Sequence, residues 1–290
     1  MRPSLAADSV PAVRIAPPTV IRTSDDLDFL CFANRARRYL EVDLSGITWI
    51  SPMGVVGVLA TCLAARERNI AVRVLAPRDR RVRTYLDRVG LYAELERQGW
   101  GLRGNADLDG SYRVVGCLPV QPLQSSRDIE TATNRLEEAL KDVPVVEGAF
   151  SRIITVVVEL TENAREHGSA CYVVAQMHSG ETSGTPGIHV AVADFGPGFS
   201  ATMRQAYGRI PDEDAVLRAF ESGVSGTGLP ERGFGLDYVR SDVATYPGAT
   251  LAVMTRRVRL QLNEGVFAVT VSTDFRGTLA AAYFPYKPAV

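Results

Sequence analysis

Four glycines fall within twelve residues between Gly99 and Gly110, and the stretch shows neither helical nor strand periodicity. Such a segment has no apolar face to bury, so it reads as a linker that divides the chain in two. A chain of 290 residues exceeds most single cores and suits two ordinary domains. The expected division is residues 1–98, a linker at 99–111, and residues 112–290.

Composition narrows the class. Apolar residues make up 46% and charged residues 22%, as in a soluble globular chain. The formal charge is −1, so no overall field draws nucleic acid or anionic lipid, and no direct nucleic-acid partner is expected. The longest largely apolar run, Val55 to Ala65, is eleven residues, short of the ~20 that span a bilayer. Met1-Arg2-Pro3-Ser4 opens without an apolar h-region, so no secretory signal is expected. Cys31, Cys62, Cys117 and Cys171 are far apart and form no CxxC pair, which argues against structural zinc or a disulfide framework and for a reducing cytoplasm. The two lysines, Lys141 and Lys287, lie in no GxxxxGK run, which excludes a P-loop.

Both halves read as α/β. The first alternates strand and helix: a strand over 40–50, a helix over 55–66, a strand over 71–75, and a helix whose face is Val82, Tyr85, Leu86 and Val89, closed by Gly90. The second predicts a strand at 112–115, helices over 126–141 and 146–167, strands at 171–176 and 188–194, a helix near Leu236, and final strands at 251–258, 266–273 and 278–284. Asn263-Glu264-Gly265 reads as a hairpin turn.

Three segments of the second half have chemical potential. On the helix before Gly168, Ile153, Val157, Leu160 and Ala164 form the buried stripe, while Glu159 and Asn163 stack four residues apart on a neighbouring face. An acid above an amide can ligate a hard cation and activate a hydroxyl, although a solvated face has the same pattern. Next, Val190 to Ala193 is an apolar strand that ends in Asp194, followed by Gly196 and Gly198. That carboxylate can accept from an exocyclic amine, although any tight turn uses such glycines. Last, the five glycines from Gly223 to Gly235 precede a helix, where free N–H groups suit phosphate; a plain surface loop is the alternative.

Taken in this order, E-x-x-x-N, D-x-G-x-G and G-x-G-L resemble the GHKL ATPase superfamily over about 112–285. Within it, Glu-Leu-x-x-Asn-Ala-x-x-His-Gly looks most like the bacterial anti-sigma-factor serine kinases. The resemblance implies a two-layer α/β sandwich that binds ATP and Mg²⁺. It implies that Glu159 is the general base and that Asn163 holds Mg²⁺. Asp194 would hold the adenine amine, and Thr278 would support it. Gly196, Gly198, Gly233, Gly235 and Leu236 would shape the nucleotide pocket, with Arg232 near a phosphate. The implied activity is phosphoryl transfer to a serine or threonine of another protein, a STAS-type antagonist or sigma-factor-like regulator. An ATP-gated binding switch and a plain ATPase are the alternatives, and a homodimer is compatible with each. The hairpin near Leu260 to Val266 departs from the family pattern.

The first half resembles an anti-anti-sigma STAS domain, on Val42-Asp43-Leu44-Ser45-Gly46-Ile47 through Gly54 and Val89-Gly90-Leu91. That implies a mixed sheet with helices. Where the family has its phosphoacceptor serine, this chain has Pro52, which lacks a hydroxyl. Ser51 and Pro52 read as the N-cap and first residue of a helix.

Overall fold

The structure, a computed structural model, describes residues 13–100, 118–141, 143, 149–167, 171–178, 185–226 and 233–286. The expected linker from 101 on and the expected strand at 112–115 lie outside these residues.

In the first half, β1 (Val13–Ile15), β3 (Tyr39–Asp43) and β5 (Ala71–Leu75) form one parallel sheet, and β2 (Val20–Ile21) pairs with β4 (Trp49–Ile50), also in parallel. Two features differ from expectation. The stretch at 40–50 is two strands in two sheets, and every described pair is parallel where a mixed sheet is expected. Helix α2 (Pro52–Glu67) lies in the connection that leads from β3 to its parallel neighbour β5, the kind of crossover that such neighbours require. A short helix α1 (Asp28–Cys31) precedes β3, and α3 (Arg80–Arg88) and α4 (Leu91–Arg97) follow β5. Gly90, at φ 80°, makes the left-handed turn between these two.

Helix α2 starts as its sequence dictates. Ser51 Oγ accepts from the Gly54 N–H at 3.3 Å, and Pro52 occupies the first turn, where its missing N–H is not needed. Every residue from Pro52 to Ala65 is buried, so the helix is apolar all round and must be covered all round.

The second half supplies much of that cover. It contains β6 (Leu118–Leu123), α5 (Ser126–Leu140), α6 (Ala149–His167), β7 (Cys171–His178), β8 (Gly187–Asp194), α7 (Phe199–Tyr207), α8 (Asp212–Arg218), α9 (Gly235–Thr245), β9 (Thr250–Asn263) and β10 (Val266–Pro285). One antiparallel sheet runs β6-β7-β8-β10-β9. The last two expected strands are one: β10 continues through register shifts, with Gly277 at φ 105°. The hairpin is present, and Glu264 and Gly265 have φ 49° and 78°, as a two-residue primed turn requires.

The sheet is covered on both faces, where a two-layer sandwich is expected. Val190 and Val192 pack with Ile153, Val157 and Leu160 of α6. Ala191 and Ala193 join Val55, Leu59 and Leu279 in the other core, with α2. The Val-Ala-Val-Ala alternation thus puts small side chains toward α2 and larger ones toward α6. The approach of α2 is close enough that a β-carbon at Gly57 would sit 3.0 Å from Leu279 Cδ2 and Leu30 Cδ1.

Polar contacts tie the halves together at the margins. Arg259 of β9, 6% exposed, pairs with Asp25 at 3.0 Å and with Asp28. Gln261 donates to Ser24 Oγ at 3.2 Å, and the Val120 N–H donates to the Val89 carbonyl at 2.7 Å. No helix among the described residues is long and apolar enough to cross a membrane.

Candidate functional site

A cavity of about 300 Å³ opens between α6, α7, the segment before α9, and α9 itself. Helix α6 supplies one wall. Its stripe of Ile153, Val157, Leu160 and Ala164 is buried against the sheet, which turns Glu159 and Asn163 to the rim at intermediate exposure. Arg152 holds α6 to α9 by donating to the Asp242 carbonyl at 3.4 Å and to Thr245.

Two glycines of the opposite wall stand where a β-carbon would be crowded. A β-carbon at Gly235 would lie 2.1 Å from Glu159 Oε2. Gly233 has φ 94°, and a β-carbon there would meet the backbone of Val224 at 2.4 Å. The Gly223 N–H donates to the Gly233 carbonyl at 3.1 Å, which holds these two glycines together. Helix α9 begins at Gly235 with no side-chain cap, so its first N–H groups have no side-chain partner of that kind.

The charge of the cavity is distinctive. Glu159, Glu162 and Glu166 line it with Asn163, and no arginine or lysine stands among the described lining residues. Burial pushes the Glu159 carboxyl above its ordinary value, and the charges of Glu162 and Glu166 push it the same way. An anionic ligand therefore enters favourably only together with a cation. Carboxylate and amide oxygens are the donors a hard divalent cation takes, and bound phosphates can complete its shell. Among the described residues no group of three or more His, Cys, Asp or Glu side chains is arranged to hold a metal ion alone. The residues present fit a cation that arrives with its own oxygen ligands.

A second group of candidate residues sits behind this cavity. Asp194 ends β8 opposite Thr278 of β10 and is 4% exposed. Its Oδ1 accepts the Gly196 N–H at 2.8 Å. Burial pushes its pKa up to about 7, against hydrogen bonds from Gly196 and from the backbone and side chain of Thr278. Close approach again requires glycine. A β-carbon at Gly277 would lie 2.1 Å from the Asp194 carbonyl oxygen, and one at Gly198 would lie 2.6 Å from Thr255 Oγ1.

The cavity thus brings together Glu159, Asn163, Gly233, Gly235 and Leu236. Asp194, Gly196, Gly198 and Thr278 do not line it; they link to it through α7, which Gly198 initiates and whose Phe199, Thr202 and Met203 form its inner wall. Arg232 lies outside the described residues.

Sequence reasoning missed Thr255, which is fully buried. Its hydroxyl accepts the Phe199 N–H at 3.3 Å, donates to the Gly277 carbonyl at 3.0 Å, and lies 3.3 Å from Thr278 Oγ1. The available signal was a hydroxyl in the strand Leu251-Ala252-Val253-Met254-Thr255, where an apolar side chain is the norm. Compared with protein-family models and with curated proteins, the chain matches none.

Proposed function

We propose that the chain binds ATP with Mg²⁺ in the α6–α7–α9 cavity and transfers the γ-phosphoryl group to a serine or threonine of a separate protein. The observation that supports this most is the seating of Glu159 against Gly235 at the uncapped start of α9. An acid whose proton affinity is raised stands there beside backbone donors suited to phosphate.

In this reading Glu159 accepts the proton of the acceptor hydroxyl. That oxygen bonds to the γ-phosphorus as the bond to the β–γ bridging oxygen breaks, and ADP leaves. The amide oxygen of Asn163 would hold the metal ion, which would supply neutralisation of the phosphate charge. The N–H groups of Gly235 and Leu236 orient phosphate oxygens. Asp194 accepts the adenine amine, supported by Thr278. Because Asp194 is 4% exposed, this last role requires the Phe195–Gly198 turn to open.

The acceptor is proposed to be a STAS-type antagonist or a sigma-factor-like regulator. The first half carries Pro52 at the corresponding position and has its helix start buried, so it is an unsuitable substrate. Incubation with ATP, Mg²⁺ and a separate STAS protein, followed by phosphosite mapping, tests the reading. One phosphoserine or phosphothreonine on the partner, absent with Glu159→Gln, is expected. Equal transfer by Glu159→Gln contradicts it.

A further inference from the structure

A second cavity, of about 590 Å³, lies on the opposite side of the sheet, where α3 of the first half meets the end of β7. Its lining includes Arg80, Arg81 and Arg88 and, among the described residues, no carboxylate. The nearby Asp79 is committed elsewhere: its Oδ1 accepts the Arg81 N–H at 2.7 Å and caps α3.

The floor of the cavity holds an unmet polar group. Gln176 is 2% exposed. Its Oε1 accepts the Tyr85 hydroxyl at 2.6 Å, whereas its Nε2 is buried without a partner among the described residues. A buried donor left unpaired costs free energy, and such groups are normally satisfied by protein, water or ligand. The Nε2 of His178, also in the lining, is likewise buried and unpartnered. Val89, Met177 and the ring of Tyr85 supply apolar wall between these polar groups.

We propose that this cavity is a second ligand site, which takes a small organic phosphate. The phosphate meets Arg80, Arg81 and the Gln176 amide, and the organic body rests on Tyr85, Val89 and Met177. Guanidinium groups suit phosphate oxygens through paired N–H donors, and the neutral amide adds direction where a charge alone would not. The arginines belong to the first half and Gln176 to the second, so the ligand bridges them. This site is separate from the α6–α9 cavity and does not depend on what that cavity binds.

Titration of the full chain with phenyl phosphate, by calorimetry at low salt, tests the proposal. Saturable one-to-one binding is expected, weaker by at least tenfold in Arg81→Ala and in Gln176→Met, and unchanged in Asn163→Ala. Arg81 is exposed, so that variant decides the matter even if Gln176→Met fails to fold. Absence of saturable binding overturns the proposal. So does binding that Asn163→Ala abolishes and Arg81→Ala leaves intact, since the ligand then sits in the other cavity. Benzoate binding as tightly would refute the preference for phosphate, and inorganic phosphate binding as tightly would refute the role of the apolar wall.

Discussion

Glu159 and Gly235 are in contact so close that a side chain at position 235 has to push the carboxylate aside: a β-carbon there would stand 2.1 Å from Glu159 Oε2 and 3.1 Å from its carboxyl carbon. Gly235→Ala therefore displaces the carboxylate without touching its chemistry. Alanine at a helix start is favourable for the helix itself. The variant should remain folded and lose roughly 10²–10⁴-fold in phosphoryl turnover, as for a displaced general base. Turnover equal to that of the parent protein would show that the contact has no catalytic role.

Asp194 gives a pH signature of opposite sign to that of an ordinary carboxylate. Its pKa in the folded protein is about 7, against about 3.9 for a free aspartate. Between those values the folded state holds a proton that the unfolded chain has released. Stability from this group is therefore complete below pH ~4 and declines until pH ~7. Asp194→Asn removes the dependence. Its melting temperature should exceed the parent's by more at pH 8 than at pH 5, with a gain on the order of 2–4 kcal/mol at the higher pH. Thermal melts at both values check this, and a pH-independent difference contradicts it. The same variant should discriminate less between ATP and GTP.

The packing of α2 on the sheet is testable at Gly57. The space there is bounded by Leu279 and Leu30 at 3.0 Å. Gly57→Val places two methyl groups into it and should destabilise the protein by about 1–3 kcal/mol, even though glycine is the poorer helix former. Chemical denaturation measures this. No loss would mean that α2 sits more loosely on the sheet than these 3.0 Å contacts require.

The start of α2 should be silent to phosphorylation. Ser51 is 3% exposed and its hydroxyl caps the helix; Thr61 is 5% exposed. After incubation of the full chain with ATP and Mg²⁺, mass spectrometry should find Ser51 to Thr61 unmodified. Stoichiometric phosphate there would overturn the assignment of this half as a non-substrate.

Much of this was legible in the chain, for local reasons. The period of Ile153, Val157, Leu160 and Ala164 orients α6 and so places Glu159 and Asn163 on one rim, and Asn263-Glu264-Gly265 marks the hairpin through its glycine. The rest depends on distant sequence. The burial of Asp194 comes from sheet neighbours and from Gly277, more than eighty residues on. Helices α7 and α8 have nine and seven residues, too few for periodicity to separate them from loop. The second cover of the sheet is contributed by α2, and the alternation of valine and alanine in β8 was its only local trace.

Calorimetric titration of the full chain with ATP, with and without Mg²⁺, tests the central claim most directly. The carboxylates around the α6–α9 cavity repel a triphosphate unless a cation accompanies it. One-to-one binding of ATP should therefore appear with Mg²⁺, weaken strongly without it, and lose its Mg²⁺ dependence in Asn163→Ala. Absence of binding in the presence of Mg²⁺, or identical affinity with and without the metal, would contradict the account.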